Sequence, residues 1–279
     1  SIDILYDLAF LLMDLEFRAV TDARLSGFAN RALNVYLDHV SEKEIVHTLE
    51  GLALLPLFVA TRAAVRAKVT AVIADTEEKR DRSRAYLDFA LAALAPRAKR
   101  VVAVGGLSGT GKSTLAMALA PKLGHPFGAV HLRSDIIRKR LFNVGPLERL
   151  PVAAYAKAVG RLVYDDMLTH ASVALAAGMP VVVDAVFSRE GERTRVERAA
   201  AEAGVPLDGI WLEAPAAILE ERVAARAADA RDPSDADVRV LQQQLGYDLG
   251  TMRWAKVDAS ARPEAILASA QALLGMPQA

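Results

Sequence analysis

Apolar residues recur at helical spacing through the first third of the chain. Between residues 4 and 95 they fall at i, i+3, i+4 and i+7 positions, with hardly any strand-like alternation. This pattern predicts helices at Ile4 to Phe17, Arg24 to His39, Glu42 to Leu49 with a continuation from Gly51 to Asp75, and Glu77 to Leu94. Asp22, Ser41 and Thr76 are the predicted caps of the second, third and fourth of these helices. Pro96 ends the pattern, so we expect an all-α helical domain over residues 1–96.

Short apolar runs alternate with helical stretches in the rest of the chain. The predicted strands are Val101 to Val104, Ala129 to Leu132, Val181 to Val186, Ile210 to Leu212 and Trp254 to Val257. Runs that are apolar throughout, separated by crossover helices, are typical of a parallel sheet buried on both faces. The sequence therefore predicts an α/β domain over residues 97–279, with a five-stranded parallel sheet, flanking helices and function at the carboxyl ends of the strands.

A glycine-rich segment joins the first predicted strand to the next helix. Its residues Gly106, Leu107, Ser108, Gly109, Thr110, Gly111, Lys112, Ser113 and Thr114 fit the pattern GxxxxGK[ST] in full. Glycine can adopt positive φ, which lets successive backbone N–H groups converge on phosphate oxygens at the positive end of a helix. We expect Lys112 to reach the β- and γ-phosphates of ATP and the Ser113 hydroxyl to hold Mg²⁺. A tight connection without a ligand is the alternative, but it does not require the lysine and the hydroxyl together.

Composition narrows the range of partners. Lysine plus arginine equals aspartate plus glutamate at 34 each, so the formal charge is +0 and no overall field attracts nucleic acid or anionic membrane. The chain has no cysteine, which excludes disulfides and thiolate metal sites. The longest apolar run, Gly51 to Ala60, is about half of the roughly 20 residues that cross a bilayer. We therefore expect a soluble, cytoplasmic protein with no membrane partner.

Charged residues follow the second predicted strand. Asp135 lies in the first turn of a predicted helix, next to Ser134, the predicted cap. A carboxylate there suits a general base that accepts a hydroxyl proton during in-line phosphoryl transfer. Arg133 and Arg138 are the candidate substrate-binding residues beside it, because they can orient an anion. The alternatives are a carboxylate favoured only by the helix dipole and a basic helix face exposed to solvent.

The third predicted strand ends in an acid. Its valines are followed by Asp184, which gives the form of a Walker B segment. A carboxylate that leaves a buried strand beside the phosphate-binding loop can hold Mg²⁺ directly or through water. Ser113 and Asp184 are therefore the predicted metal residues, and an aspartate that only caps the next turn is the alternative.

Three arginines follow the fourth predicted strand. Arg222 and Arg226 share one helix face at i, i+4 spacing, and Arg231 lies in the polar, proline-broken segment after them. The planar guanidinium matches phosphate oxygens, and such a segment can close over bound substrate as a lid. Together with Lys112 and Asp135, these arginines are the predicted catalytic residues. An ordinary amphipathic helix, with its arginines paired to neighbouring glutamates, is the alternative.

Four segments of the α/β part together resemble a known family. They are Gly106 to Thr114, Arg133 to Arg138, Val181 to Phe187 and Arg226 to Asp237. The family comprises phosphate-loop kinases related to polynucleotide kinase, gluconate kinase and chloramphenicol phosphotransferase, and the resemblance runs from about residue 99 to the end of the chain. It implies that Asp135 activates an acceptor hydroxyl and that the lid arginines Arg222, Arg226 and Arg231 clamp the transferring phosphoryl group.

The helical part resembles a second family. Residues 2–15 and 52–69 are similar to the last helices of an aminoglycoside-phosphotransferase-like domain, a type of domain that occurs fused to such a kinase. In that family the HxD-type catalytic loop and the metal-binding aspartate belong upstream of Ser1, and no HxDxxxxN pattern occurs in this chain. Because the chain also begins without methionine, we expect a fragment of a longer protein. We interpret the helical domain as a scaffold.

These features lead to one functional prediction and two alternatives. We expect an ATP-dependent kinase that transfers the γ-phosphoryl group to a hydroxyl of a small molecule or of a nucleic-acid 5′ end. A nucleotide-gated switch or accessory ATPase without an acceptor is the alternative from another class. A 5′-hydroxyl polynucleotide kinase is the narrower alternative, which requires a basic groove near Arg133, Arg138, Lys139 and Arg140. The lack of an NKxD tetrapeptide disfavours a GTPase switch.

Overall fold

The structure, a computed structural model, describes residues 3–124, 126–227 and 233–276, and only the backbone of residues 226 and 227. The α helices are α1 (Ile4–Ala19), α2 (Phe28–His39), α3 (Ile45–Gly51), α4 (Leu55–Val72), α5 (Glu77–Ala93), α6 (Lys112–Leu119), α7 (Ser134–Leu141), α8 (Lys157–Ala176), α9 (Glu190–Glu202), α10 (Ala216–Ala227), α11 (Val238–Leu245) and α12 (Pro263–Leu273). The strands are β1 (Val101–Gly106), β2 (Val130–Arg133), β3 (Val181–Asp184), β4 (Leu207–Glu213) and β5 (Ala255–Asp258).

The strands form one parallel sheet in the order β2-β3-β1-β4-β5. β1 therefore lies in the middle, between β3 and β4, and β2 lies at one edge. Each predicted strand overlaps an observed one, because the apolar runs are buried by helices on both faces of the sheet. The α/β fold with a five-stranded parallel sheet and flanking helices, preceded by a helical region, is confirmed.

The helical region departs from its prediction at two places. The second helix begins at Phe28 and not at Arg24, because Gly27 has a φ of 81° and interrupts the helix. Ser41 is not a cap: its hydroxyl donates to the Glu44 carboxylate at 2.9 Å, and α3 begins only after Glu44. Thr76 does cap α5 as predicted, since its side chain accepts a hydrogen bond from the backbone N–H three residues further on.

One buried apolar cluster joins the helical region to the sheet. It contains Leu33 of α2 and Leu52 of the 3₁₀ turn before α4, together with Val130 of β2 and Met167 of α8. Residue 96 lies in the connection between α5 and β1, and the division into two domains at that point stays a prediction.

One stretch of the helical region, residues 45–72, is long and apolar enough to cross a membrane by length and composition. One such stretch is weak evidence, because core helices of soluble proteins meet the same criterion. Here one face of the stretch belongs to the core, with Leu49, Leu52, Leu55 and Val59 fully buried. The expected cytoplasmic location stays a prediction.

Helix α2 covers the outer edge of β2. The Asn34 side chain accepts a hydrogen bond from the His131 N–H at 2.7 Å and donates to the Ala129 carbonyl at 3.1 Å. The neighbouring Asn30 donates to the carbonyls of Phe127 and Ala129. The two amide side chains thus form hydrogen bonds with backbone groups that, at the edge of a sheet, have no neighbouring strand to pair with. The helical region is therefore built into the edge of the sheet.

We expect Asn34→Ala to lower the free energy of unfolding by about 1–3 kcal/mol, because the His131 N–H loses its partner at the sheet edge. Chemical denaturation followed by circular dichroism measures this change. Arg31→Ala, at an exposed position of the same helix, is the matched control and should change the free energy of unfolding by less than about 0.5 kcal/mol. Equal losses in the two variants would show that the Asn34 amide does not stabilise the edge.

Candidate active site

Three glycines shape the loop between β1 and α6. Gly106, Gly109 and Gly111 have φ angles of 150°, 84° and 83°, which residues with a Cβ rarely adopt. A Cβ at Gly106 would lie 2.8 Å from the Leu212 carbonyl oxygen, and one at Gly109 would lie 2.7 Å from the Leu219 carbonyl oxygen. The first two glycines are therefore required by space as well as by conformation.

The loop leads directly into the amino end of α6. Gly111 is the residue before the helix, and Lys112 and Ser113 are its first two residues. The Lys112 ammonium lies 3.4 Å from the Leu107 carbonyl oxygen, so the side chain folds back over the loop. A helix amino end with its backbone N–H groups and a lysine beside it is an anion-binding arrangement.

Asp184 ends β3, directly beside β1. It pairs in register with Val104, two residues before the loop begins at Gly106. Its carboxylate is buried, and Oδ2 has no hydrogen-bond partner among the described residues. His131 Nε2 lies 3.4 Å from this oxygen and Arg133 Nε lies 3.9 Å from it. Asp184 therefore has a buried carboxylate oxygen that accepts no hydrogen bond, on the strand next to the one that leads into the phosphate-binding loop.

Positive charge surrounds the Asp184 carboxylate. Burial acts to raise the pKa of Asp184, but contact with His131 and the charges of Lys112 and Arg133 outweigh it and lower the pKa below its usual value. Asp184 is therefore ionised in the neutral range. The histidine that contacts this carboxylate, His131, lies on the neighbouring strand β2.

The residues fit a magnesium ion held partly by nucleotide. The part of the chain that the structure describes contains no cluster of three or more histidine, aspartate or glutamate side chains that would form an all-protein metal cage. Mg²⁺ usually takes one or two carboxylates and completes its shell with water and phosphate oxygens. The Asp184 oxygen without a hydrogen bond, together with the Ser113 hydroxyl at the start of α6, matches this requirement.

Asp135 lies in the first turn of α7, as predicted. Ser134 is not its cap: Arg133 precedes the helix and no side-chain capping hydrogen bond is formed. Because Arg133 pairs in register with Asp184, the start of α7 and the end of β3 lie at the same edge of the sheet. The base candidate and the metal candidate therefore lie at the carboxyl ends of neighbouring strands.

Arg138 has partners away from Asp135. Its guanidinium donates to the Ala154 carbonyl at 2.7 Å and lies 5.0 Å from the centre of the Tyr155 ring. It thus holds the 3₁₀ turn Val152–Tyr155 against α7. The substrate-binding roles of Arg133 and Arg138 stay predictions.

Two of the four cations proposed for a polynucleotide groove do not face solvent. Lys139 is 1% exposed and donates to the Glu148 carbonyl, and Arg140 is 8% exposed and donates to the carbonyls of Leu37 and Val40. Burial also lowers the pKa of Arg140. The basic groove expected from the sequence is therefore not formed by these two residues, because both cations satisfy backbone carbonyls inside the fold.

Of the three predicted lid arginines, the structure describes the side chain of Arg222 only. Arg222 donates to the Ala259 carbonyl at 2.7 Å, beyond the end of β5. The Arg226 side chain and all of Arg231 lie outside the described residues. The catalytic role of all three stays a prediction, and the one described guanidinium is engaged with a carbonyl.

Asp235, to which the sequence analysis assigned no role of its own, lies within the stretch Arg226 to Asp237 that contains the predicted lid. Its carboxylate accepts hydrogen bonds from the Tyr155 hydroxyl at 2.7 Å, from the Leu150 N–H at 3.1 Å and from the Lys139 ammonium at 3.4 Å. Burial raises the pKa of Tyr155, and the charges of Asp235 and Asp135 raise it further. Tyr155 is therefore held next to the base candidate.

A second unpredicted contact reaches the phosphate-binding loop itself. Gln244 of α11 accepts a hydrogen bond from the Ser108 N–H through Oε1, at 2.8 Å, and its side chain is 7% exposed. The local sequence does not predict this contact, because Gln244 is one of three successive glutamines on a short helix.

The curated proteins that this chain resembles are longer than the chain itself. An uncharacterized protein of Mycobacterium tuberculosis (strain ATCC 25618 / H37Rv) is 29% identical to it over 260 residues, which cover 89% of this chain and 48% of that protein. The chain therefore spans about half the length of the curated relatives it matches. The resemblance of the helical region to an aminoglycoside-phosphotransferase-like domain stays a prediction.

Two solved kinases overlap about two thirds of the chain. A gluconokinase from Sinorhizobium meliloti 1021 is 24% identical with a TM-score of 0.43, and the match covers 65% of this chain and 94% of that protein. The APS kinase of Mycobacterium tuberculosis, solved in complex with AMPPNP and APS, is 22% identical with a TM-score of 0.45, covering 65% of this chain and 99% of that protein. At this level of similarity, neither kinase's substrate transfers to this chain.

A family model covers most of the α/β part. Residues 101–247, from the first residue of β1 to the second residue beyond α11, match the model described as an AAA domain. The matched segment contains the phosphate-binding loop, Asp135 and Asp184. It makes up just over half of the 279 residues, so the chain belongs to the AAA domain family.

Proposed function

We propose that this chain is an ATP-dependent kinase that transfers the γ-phosphoryl group of ATP to a hydroxyl group. One observation carries the proposal: the phosphate-binding loop, Asp184 and Asp135 lie at the carboxyl ends of three neighbouring strands, β1, β3 and β2. The residues to which we assign nucleotide binding, metal binding and proton transfer therefore lie on neighbouring strands, at the carboxyl end of the sheet.

The nucleotide side binds and orients the triphosphate. The loop N–H groups and the amino end of α6 hold phosphate oxygens, and Lys112 moves from the Leu107 carbonyl onto the β- and γ-phosphates. Ser113 and Asp184 are the residues that would hold Mg²⁺, which supplies positive charge to the β- and γ-phosphate oxygens when bound.

The acceptor side provides the base. A carboxylate oxygen of Asp135 accepts the proton of the acceptor hydroxyl, while the hydroxyl oxygen forms a bond to the γ-phosphorus. The bond from that phosphorus to the β–γ bridging oxygen breaks, and ADP leaves with the electron pair. Tyr155, whose hydroxyl donates to Asp235, is the side chain that we assign to the acceptor side of Asp135.

We further propose a small-molecule acceptor over a nucleic-acid end. A polynucleotide needs several exposed cations along its phosphate backbone. Lys139 and Arg140 are buried and bonded to carbonyls, which leaves Arg133 and Arg138 as the remaining members of the proposed groove. The Arg133 side chain is only 10% exposed, and Arg138 is half-buried.

Incubation with γ-labelled ATP, Mg²⁺ and separate pools of sugars, nucleosides, antibiotics and oligonucleotides tests the proposal. We expect label to appear in one of the small-molecule pools and not in the oligonucleotides. EDTA is the control and should abolish the transfer. Label that appears only as inorganic phosphate, whatever pool is present, would contradict a kinase and favour the accessory ATPase. Labelled oligonucleotides would overturn the small-molecule assignment alone.

A further inference from the structure

The hydrogen bond between Gln244 and the phosphate-binding loop involves a peptide unit with two functions. The Leu107 carbonyl and the Ser108 N–H belong to the same peptide bond. On the carbonyl side, the oxygen accepts from the Thr110 hydroxyl at 2.8 Å and lies 3.4 Å from the Lys112 ammonium. On the amide side, the N–H donates to Gln244 Oε1 at 2.8 Å.

The two sides of this peptide face opposite directions. In a trans peptide the C=O and N–H bonds point away from each other. Gln244 therefore approaches the loop from the side opposite Lys112, and it does not occupy the place of a phosphate held by that lysine. The glutamine is positioned to support the loop from behind.

Apolar contacts place α11 behind the loop in the same way. Leu241 of α11 forms a small buried cluster with Leu219 and Val223 of α10, and Leu107 packs against that cluster. α10 also approaches the loop closely, because a Cβ at Gly109 would lie 2.7 Å from the Leu219 carbonyl oxygen. Helices α10 and α11 therefore pack against the side of the loop that faces away from Lys112, and Gln244 forms a hydrogen bond to the loop on this side.

We propose that Gln244 is a positioning residue for nucleotide binding. By accepting the Ser108 N–H, it fixes the orientation of the Leu107–Ser108 peptide, and the carbonyl of that peptide in turn anchors Thr110 and the resting position of Lys112. The loop is thus preorganised before ATP arrives. This inference rests on the proposed nucleotide-binding function and deepens it.

Gln244→Met tests the inference, because methionine keeps the length of the side chain and removes the acceptor. Loss of one buried hydrogen bond of about 1 kcal/mol should weaken the binding of both MgATP and MgADP by roughly five- to tenfold. Isothermal titration calorimetry, at a temperature where both proteins are folded, measures the two affinities. Gln243→Met, at an exposed position of the same helix, is the matched control and should leave both within about twofold.

Amide hydrogen exchange provides a second readout that a general loss of stability would not reproduce. We expect the Ser108 amide to be protected in the wild-type protein without nucleotide and to exchange faster in Gln244→Met, with β1 unchanged. An unprotected Ser108 amide in the wild type would overturn the inference even if the variant fails to fold. So would nucleotide affinities of Gln244→Met that match those of the control.

The outcomes also separate this inference from the proposed function. A wild-type protein that binds neither nucleotide would refute both. A wild-type protein that binds MgATP, with a Gln244→Met variant that binds it equally well, would refute only the role of Gln244.

Discussion

Asp135→Asn is expected to lower kcat for phosphoryl transfer by about 10²- to 10⁴-fold, the range that general base catalysis contributes. Asparagine has nearly the same shape as aspartate but cannot accept the proton of the acceptor hydroxyl. MgATP affinity should stay unchanged, because Asp135 lies in the first turn of α7 and the phosphate-binding loop lies at the end of β1. Steady-state kinetics with the acceptor identified by labelling, together with calorimetry, separate the two effects.

Asp81→Asn is the matched control, since Asp81 is an exposed aspartate on α5, in the helical region. It should leave kcat and MgATP affinity unchanged. If Asp135→Asn keeps nearly full transfer activity, the carboxylate serves only the helix dipole of α7. A nucleotide-gated switch would likewise be insensitive to this substitution, so the experiment also distinguishes the two functional classes.

The parts of the fold that the sequence predicted correctly carry local signals. The glycines of the phosphate-binding loop are demanded by their own φ angles, and the motif around them is contiguous. The strands are visible because both faces of a central parallel sheet are buried, which leaves runs of valine such as 181–183. Asp184 is the residue directly after that run, so its position at the end of the strand is also predicted. These features need only neighbouring residues to be recognised.

Contacts between distant segments could not be predicted in this way. Asn34 and His131 are 97 residues apart, and Ser108 and Gln244 are 136 residues apart, so only the folded chain brings each pair together. Asparagine on a helix and glutamine within a run of glutamines are both typical of solvent-exposed positions. Here each amide replaces a backbone partner that the main chain does not supply.

The basic residues after Asp135 show why charge patterns mislead. A run of arginines and lysines on a short helix usually indicates a face exposed to solvent. The roles that the sequence suggested for these residues, an exposed basic face or a groove for a polynucleotide, both require exposed side chains. Arg140 instead donates to the carbonyl of Leu37, in the last turn of α2, and to the carbonyl of Val40, the residue that follows the helix. The cost of burying this guanidinium is offset because two carbonyls accept hydrogen bonds from it.

This contact also gives the helical region a place in the site. Arg140 belongs to α7, the helix that begins with the base candidate, and it binds the carboxyl end of α2. Asn34 of the same α2 binds the backbone of β2, the strand that leads into α7. Strand β2, which precedes Asp135, and helix α7, which contains it, are therefore both bonded to α2. The interpretation of the helical region as a scaffold thus has a specific meaning at this edge of the sheet.

Lys112→Ala is expected to have the largest effect of any single substitution, lowering kcat/KM for transfer by at least about 10³-fold, the scale set by removal of a cation from a phosphoryl-transfer site. The affinity for MgATP should fall more than that for MgADP, because the γ-phosphate loses its counter-charge. Calorimetry with both nucleotides and steady-state kinetics measure these effects. Lys122→Ala, an exposed lysine in the 3₁₀ turn after α6, is the matched control and should change neither. Nucleotide binding and turnover that survive Lys112→Ala at wild-type levels would mean that the loop does not bind a triphosphate, because no other group in the motif supplies the charge.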